Sequence, residues 1–123
     1  SLYKEAFVAI GNNQVRGEIL AQLKTAGYEI PILIHPSAYI SRTAKIQSGT
    51  VVEPKAIVNT NAEISEGCTI SVGAIVDHDT KLEACVHVNA GAIVKAGATL
   101  EAYPVVCIQT GEYERCIFRR PWY

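Results

Sequence analysis

The chain has 123 residues, a formal net charge of −1 and an apolar fraction of 49%, enough for one compact unit or for a repeat array with a small appendage. So little charge argues against a nucleic-acid or membrane-surface partner held by bulk electrostatics, and no run of about 18 apolar residues exists to span a membrane. The four cysteines, Cys68, Cys85, Cys107 and Cys116, show neither CxxC nor metal-ligand spacing and read as reduced structural thiols of a cytoplasmic protein.

Leu2 to Ile10 contains Lys4 and Glu5 and lacks the layout of a signal peptide. Phe7 to Ile10 is a short apolar run closed by Gly11, which predicts a buried strand. Asn12 or Asn13 then caps a helix, with Val15, Ile19, Leu20 and Leu23 on one apolar face and Gly27 as its left-handed stop. Ile30 to Ile34, interrupted by Pro31, is the next predicted strand. Strand, helix and strand imply a parallel unit with a right-handed crossover. Residues 1–33 therefore read as the C-terminal part of an α/β (Rossmann-like) domain, with earlier strands expected before Ser1. The Gly11-Asn12 turn at the helix N-terminus offers a place for a phosphate or sugar. A turn that merely links strand to helix is the competing reading, since a lone glycine falls short of a phosphate-loop fingerprint.

From Ile34 to Leu100 an aliphatic residue returns every six positions without insertion, as in Ile64, Ile70, Val76 and Leu82. The fifth residue of each hexad is small or compact, for example Ala56, Ala62, Cys68 and Ala74. Neither an amphipathic helix nor an alternating strand has this period; a solenoid with three short sides per coil does. Residues 34–105 are thus predicted to form a left-handed parallel β-helix of about four coils. The aliphatic residue points inward and polar residues such as Ser41, Arg42, Lys55 and Glu63 point to solvent. Gly49, Gly67, Gly73, Gly91 and Gly97 occupy fourth positions, where corners often need positive φ. The period breaks after Pro104. Val105–Ile108 and Cys116–Phe118, around Thr110-Gly111, predict a hairpin within a capping segment over residues 106–123.

Of three histidines, His35 has no acid or base partner near it in sequence and reads as structural. His78 sits between Asp77 and Asp79 at the third position of its hexad, at or near a corner, so its ring should face outward. An imidazole suits proton transfer near neutral pH, and a carboxylate partner fixes its tautomer and raises its basicity. Adjacent side chains of an extended segment point apart, so a bend is needed to bring Asp77 or Asp79 onto the ring. His87 follows after half a coil and belongs on another side of the prism. It would meet His78 only across two chains packed side by side.

The stretches Phe7–Asn13, Leu33–Ile40, Gly73–Asp79 and Val86–Gly91 resemble the hexapeptide-repeat sugar acyltransferases. The nearest group is the sialic acid O-acetyltransferase type, which includes bacillosamine and perosamine N-acetyltransferases. The resemblance covers about Phe7 to Leu100. It implies a homotrimer with active sites between adjacent β-helices, acetyl-CoA as co-substrate and a nucleotide-sugar held by the α/β domain. It assigns His78 as general base, Asp79 as the acid that raises its basicity, and His87 as the residue that meets the thioester region. Ala96 matches a backbone contact to the cofactor. It also places a glycine-rich segment before Ser1 and further coils after Pro104. Acetyl transfer to a sugar amine or sugar hydroxyl would be direct, with no metal and no acyl-enzyme. The alternatives are a non-catalytic trimeric scaffold or sugar-nucleotide binding module, and a zinc enzyme of the γ-carbonic anhydrase type. The zinc reading needs three converging histidines, and His35 lies more than two coils before His78.

Overall fold

The computed structural model describes residues 2–102 and the backbone of Val105 and Val106. From Leu33 onward, two-residue strands alternate with four-residue corners, and each strand pairs in parallel with the one a coil later, as in Leu33↔Val51 and Ile57↔Ile75. The strands form three faces. Face one stacks Leu33–Ile34, Val51–Val52, Thr69–Ile70, His87–Val88 and Val105–Val106; face two runs from Tyr39–Ile40 to Ile93–Val94; face three runs from Lys45–Ile46 to Thr99–Leu100. The result is a left-handed parallel β-helix of about four turns.

Each two-residue strand points one side chain out and the next one in, which is why a period of six suffices. The inward residues form one continuous core: Ile64, Ile70, Leu82 and Val94 are at most 1% exposed. Burying each such side chain contributes roughly 1.5–3 kcal/mol. The first three hexads depart from the expectation. Ile34 is 44% exposed and Ile40 and Ile46 are only half-buried, because the first coil has a stacked neighbour on one side alone. Ser41, expected to face solvent, is buried; its hydroxyl lies 3.4 Å from that of Thr60 in the coil above.

Left-handed corners are more general than the glycines announced. All five fourth-position glycines have positive φ, and so do Lys55, Asn61, Asp79 and Cys85. At Lys55 and Cys85 this costs about 1–2 kcal/mol, and less at Asn61 and Asp79; the stacked coils impose it.

Helix α1 spans Asn13–Thr25; Asn12 is its N-cap, with Oδ1 accepting from the Val15 amide at 2.9 Å, and Gly27 follows at φ 92°. The face it buries overlaps the predicted one but is turned toward Asn13 and Arg16. Asn13, Arg16 and Leu20 are buried, Ile19 and Leu23 only in part, and Val15 is exposed. Leu20 lies against the corner glycines: a Cβ on Gly49 or Gly67 would approach its methyl groups to 3.1 Å. Helix α1 therefore covers the corner between faces three and one, leaving face two on the opposite side of the prism.

The two predicted strands flanking the helix are also corrected. Phe7–Ile10 forms no strand; the pairing is a single parallel bridge, Glu5↔Glu29. In the Ile30–Ile34 run only Leu33–Ile34 is a strand, and it belongs to the solenoid. Pro31 has no amide hydrogen to extend the bridge. The capping hairpin expected over residues 106–123 lies outside the described residues.

Candidate active site

The corner between faces two and three carries Asp77, His78 and Asp79. The left-handed φ of Asp79, 57°, supplies the bend that an extended segment lacks, and His78 Nδ1 lies 2.8 Å from Asp79 Oδ2. Asp77 is occupied otherwise: its Oδ1 accepts from the His78 backbone amide at 2.8 Å and from Asn59 Nδ2 at 3.1 Å. The structure thus selects Asp79 over Asp77 as the partner of the ring.

Both side chains of the pair project into solvent, at 55% and 59% exposure. The hydrogen bond to Asp79 raises the His78 pKa above its ordinary value, with the charges of Asp77 and Asp79 adding to it. Asp79 is lowered by the same bond and by a second one from Asn61, one coil below. With Nδ1 held by the carboxylate, Nε2 is the atom that takes a proton. Ala96 stands one coil above His78 at the same exposed corner, where the Gly97 amide donates to His78 O at 3.0 Å. A cleft of about 410 Å³ flanks the pair on the face-three side, bordered by Thr43, Lys45, Asn61, Asp79 and Lys81.

His87 lies elsewhere, on the outer side of face one. It is half-buried, and its Nε2 is 3.0 Å from Ser71 Oγ. Burial lowers its pKa, the Arg16 charge lowers it further, and Glu53 opposes both. The ring lines a cleft of about 350 Å³ between face one and the Phe7–Gly11 segment. Gly11 also lines that cleft, whereas Asn12 spends Oδ1 on the helix cap. One chain therefore brings His78, Asp79 and Ala96 together, and separately His87 and Gly11; it does not bring the two groups together.

His35 bonds within its own corner, with Nδ1 2.9 Å from Ser37 Oγ and accepting from the Ser37 amide. Among the described residues no group of three His, Cys, Asp or Glu side chains is placed to hold a metal ion. Cys68 is buried at its corner, and burial pushes its thiol up to about 12; burial also raises Cys85. Neither has the lowered pKa of a nucleophile.

Three polar residues escaped the sequence reading: Asn61, Ser71 and Arg16. Asn61 and Ser71 act across coils, at separations of 18 and 16 residues. Arg16 did leave a signal, since it shares a helical stripe with Leu20 and Leu23, and a polar residue on such a stripe marks a buried contact.

No protein-family model matches the chain, and no curated protein sequence matches it. Solved structures do. A histidine-substituted variant of perosamine N-acetyltransferase from Caulobacter crescentus, in complex with CoA and GDP-perosamine, is 28% identical, with a TM-score of 0.79 over 80% of this chain and 47% of that one. The acetyltransferase domain of PglB from Neisseria gonorrhoeae FA1090, in complex with acetyl coenzyme A, is 33% identical, with a TM-score of 0.73 over 82% of this chain and 55% of that one. The chain thus spans about half the length of each and is similar to hexapeptide-repeat sugar acetyltransferases over that span. Among the described residues no helix is long and apolar enough to cross a membrane.

Proposed function

We propose that the protein is an acetyl-CoA-dependent acetyltransferase acting on an amino-sugar, carried as a nucleotide-sugar, with His78 as general base. The observation that carries this reading is the exposed His78–Asp79 pair, 2.8 Å apart at a solenoid corner. Support comes from a fold similar to a perosamine N-acetyltransferase solved with CoA and GDP-perosamine and to an acetyltransferase domain solved with acetyl coenzyme A. One of these relatives is a perosamine N-acetyltransferase, which favours an amine over a hydroxyl acceptor. Reduced thiols at Cys68 and Cys85 fit a cytoplasmic enzyme.

In this reading His78 Nε2 removes a proton from the acceptor nitrogen as its lone pair attacks the thioester carbonyl carbon. The tetrahedral intermediate collapses with cleavage of the C–S bond. The departing CoA sulfur takes the proton back from the imidazolium. Asp79 holds the ring tautomer and stabilises the cation while it exists. His87 meets the thioester region, where a neutral ring can donate to the developing oxyanion. The Ala96 backbone borders the co-substrate. Residues 1–33 act as the end of an α/β unit, and Gly11 with the backbone of Asn12 contacts the sugar side.

The two histidines belong to separate parts of one chain, so the site is completed by a second copy in a homotrimer. Face two favours this arrangement. Its outward ladder is Tyr39, Ile57, Ile75 and Ile93, with Tyr39 57% and Ile93 41% exposed. An apolar ladder of this kind suits burial against neighbouring copies. One edge of face two is the His78 corner, and face one with His87 lies past the other.

The test is titration calorimetry of acetyl-CoA into wild type and His87→Ala, followed by turnover with GDP- and UDP-linked amino-sugars using His78→Ala as control. Micromolar binding that weakens in His87→Ala, with turnover lowered by about 10²–10⁴-fold in His78→Ala, is expected. Folded protein that binds no acetyl-CoA would return the balance to a scaffold or binding module.

A further inference from the structure

The Arg16 side chain is only 3% exposed, yet no carboxylate pairs with it among the described residues. Its five N–H groups meet five oxygens. Nε donates to Gly67 O at 2.7 Å; Nη1 donates to Ile10 O at 3.0 Å and Gly11 O at 3.4 Å; Nη2 donates to Asn13 Oδ1 at 2.9 Å and Cys85 O at 3.2 Å. One side chain thereby ties together the Ile10–Gly11 turn, the first turn of α1 and two successive corners of the solenoid.

Holding α1 down does not by itself call for a cation. Leu20 already packs on Gly49 and Gly67. The guanidinium does two things an apolar side chain cannot. It fixes both carbonyls of the turn, and it sets a positive charge at the wall of the cleft that contains His87.

We propose that Arg16 is a positioning residue for acetyl transfer, clamping the Ile10–Gly11 turn to the Gly67 and Cys85 corners so that the His87 cleft keeps its shape and its charge. This rests on the acetyltransferase reading above. The charged groups facing His87 are Arg16 from α1 and Glu53 from face one; the remaining lining residues, in the Phe7–Gly11 segment and at Leu33, Val51 and Thr69, are uncharged. Arg16 opposes protonation of His87 and Glu53 favours it. A neutral His87 retains one N–H to donate and one lone pair to accept.

The experiment compares wild type, Arg16→Gln and Arg16→Lys, each checked by circular dichroism. It follows the His87 ring by NMR titration and acetyl transfer by steady-state kinetics. In Arg16→Gln the His87 titration moves to higher pH, and kcat falls by about 10- to 100-fold, as expected for a misplaced wall of a site. Arg16→Lys keeps the charge without the planar fork. It leaves the His87 titration in place while kcat still falls, and this variant alone suffices if Arg16→Gln does not fold. Folded variants with an unmoved His87 titration and wild-type kcat would overturn the proposal, leaving Arg16 a structural contact. The NMR arm needs no turnover, so absence of transfer in wild type would count against the acetyltransferase reading and leave the Arg16–His87 coupling to be decided by the titration.

Discussion

Gly67 and Gly73 share a backbone conformation, φ +69° and +68°, but not surroundings. A Cβ at Gly67 would stand 2.9 Å from Cys85 Sγ and 3.1 Å from Leu20 Cδ2, whereas at Gly73 nothing lies within 4 Å. Replacing either by alanine introduces left-handed strain of about 1–2 kcal/mol. A loss of freedom in the unfolded chain, about 0.4–1 kcal/mol, partly offsets it. These effects are common to both sites. Overpacking, about 1–3 kcal/mol, falls on Gly67 alone. Cys85 has little room to yield, since it is 2% exposed and its carbonyl is held by Arg16. Gly67→Ala should therefore lose about 2 kcal/mol more than Gly73→Ala. Urea unfolding followed by far-ultraviolet circular dichroism reads the difference as a lower midpoint, and hydrogen exchange should show α1 amides opening first, because Leu20 is pushed off its corner. Adding Cys85→Ala to Gly67→Ala removes Sγ and should recover part of the loss, a coupling expected of residues in contact. Equal midpoints for Gly67→Ala and Gly73→Ala would refute this packing of the helix on the corner.

His78→Ala should lower transfer by about 10²–10⁴-fold while leaving acetyl-CoA affinity near that of wild type in calorimetry. Asp79→Asn removes the partner that raises the His78 pKa. A base works only when deprotonated, so the acidic limb of the kcat profile should move to lower pH as the plateau falls; a limb that stays in place would show that His78 does not set it. Cys68, raised to about 12 by burial, should resist iodoacetamide at neutral pH in native protein and react after unfolding, as peptide mass mapping would show. Ile75→Asp places a charge in the middle of the face-two ladder and should give monomers by analytical ultracentrifugation. A trimer unchanged in mass would place the interface on another face.

The helix and the candidate site were legible to different depths. A cap at Asn12 or Asn13 and a stop at Gly27 could be read locally, because capping involves residues three or four apart. The buried stripe could be read only in part. Arg16 is polar, and what makes it a core contact are the carbonyls of Gly67 and Cys85, 51 and 69 residues away. Phe7–Ile10 looks like a strand by composition, but strand pairing is a nonlocal property, and only Glu5 and Glu29 pair. The His-acid pair was visible as adjacent letters; adjacency alone left Asp77 and Asp79 open, and only the family resemblance pointed to Asp79, the carboxylate that the ring meets.

What the sequence determined by itself is the solenoid. Every hexad repeats the same one-in, one-out choice, so an interior aliphatic such as Ile64 or Val76 marks its own place without reference to any other part of the chain. What only the tertiary structure decided lies at the corners that carry no glycine. Left-handed backbone at Lys55 and Cys85 runs against the preference of those residues, Asn61 and Asp79 tolerate it better, and at all four the stacked coils impose it. That conformation turns the Asp79 carboxylate onto His78, while the same stacking sets Asn61 below and Ala96 above. A period of six is written along the chain, but contacts between coils join residues eighteen apart, and those emerge only when the coils close on one another.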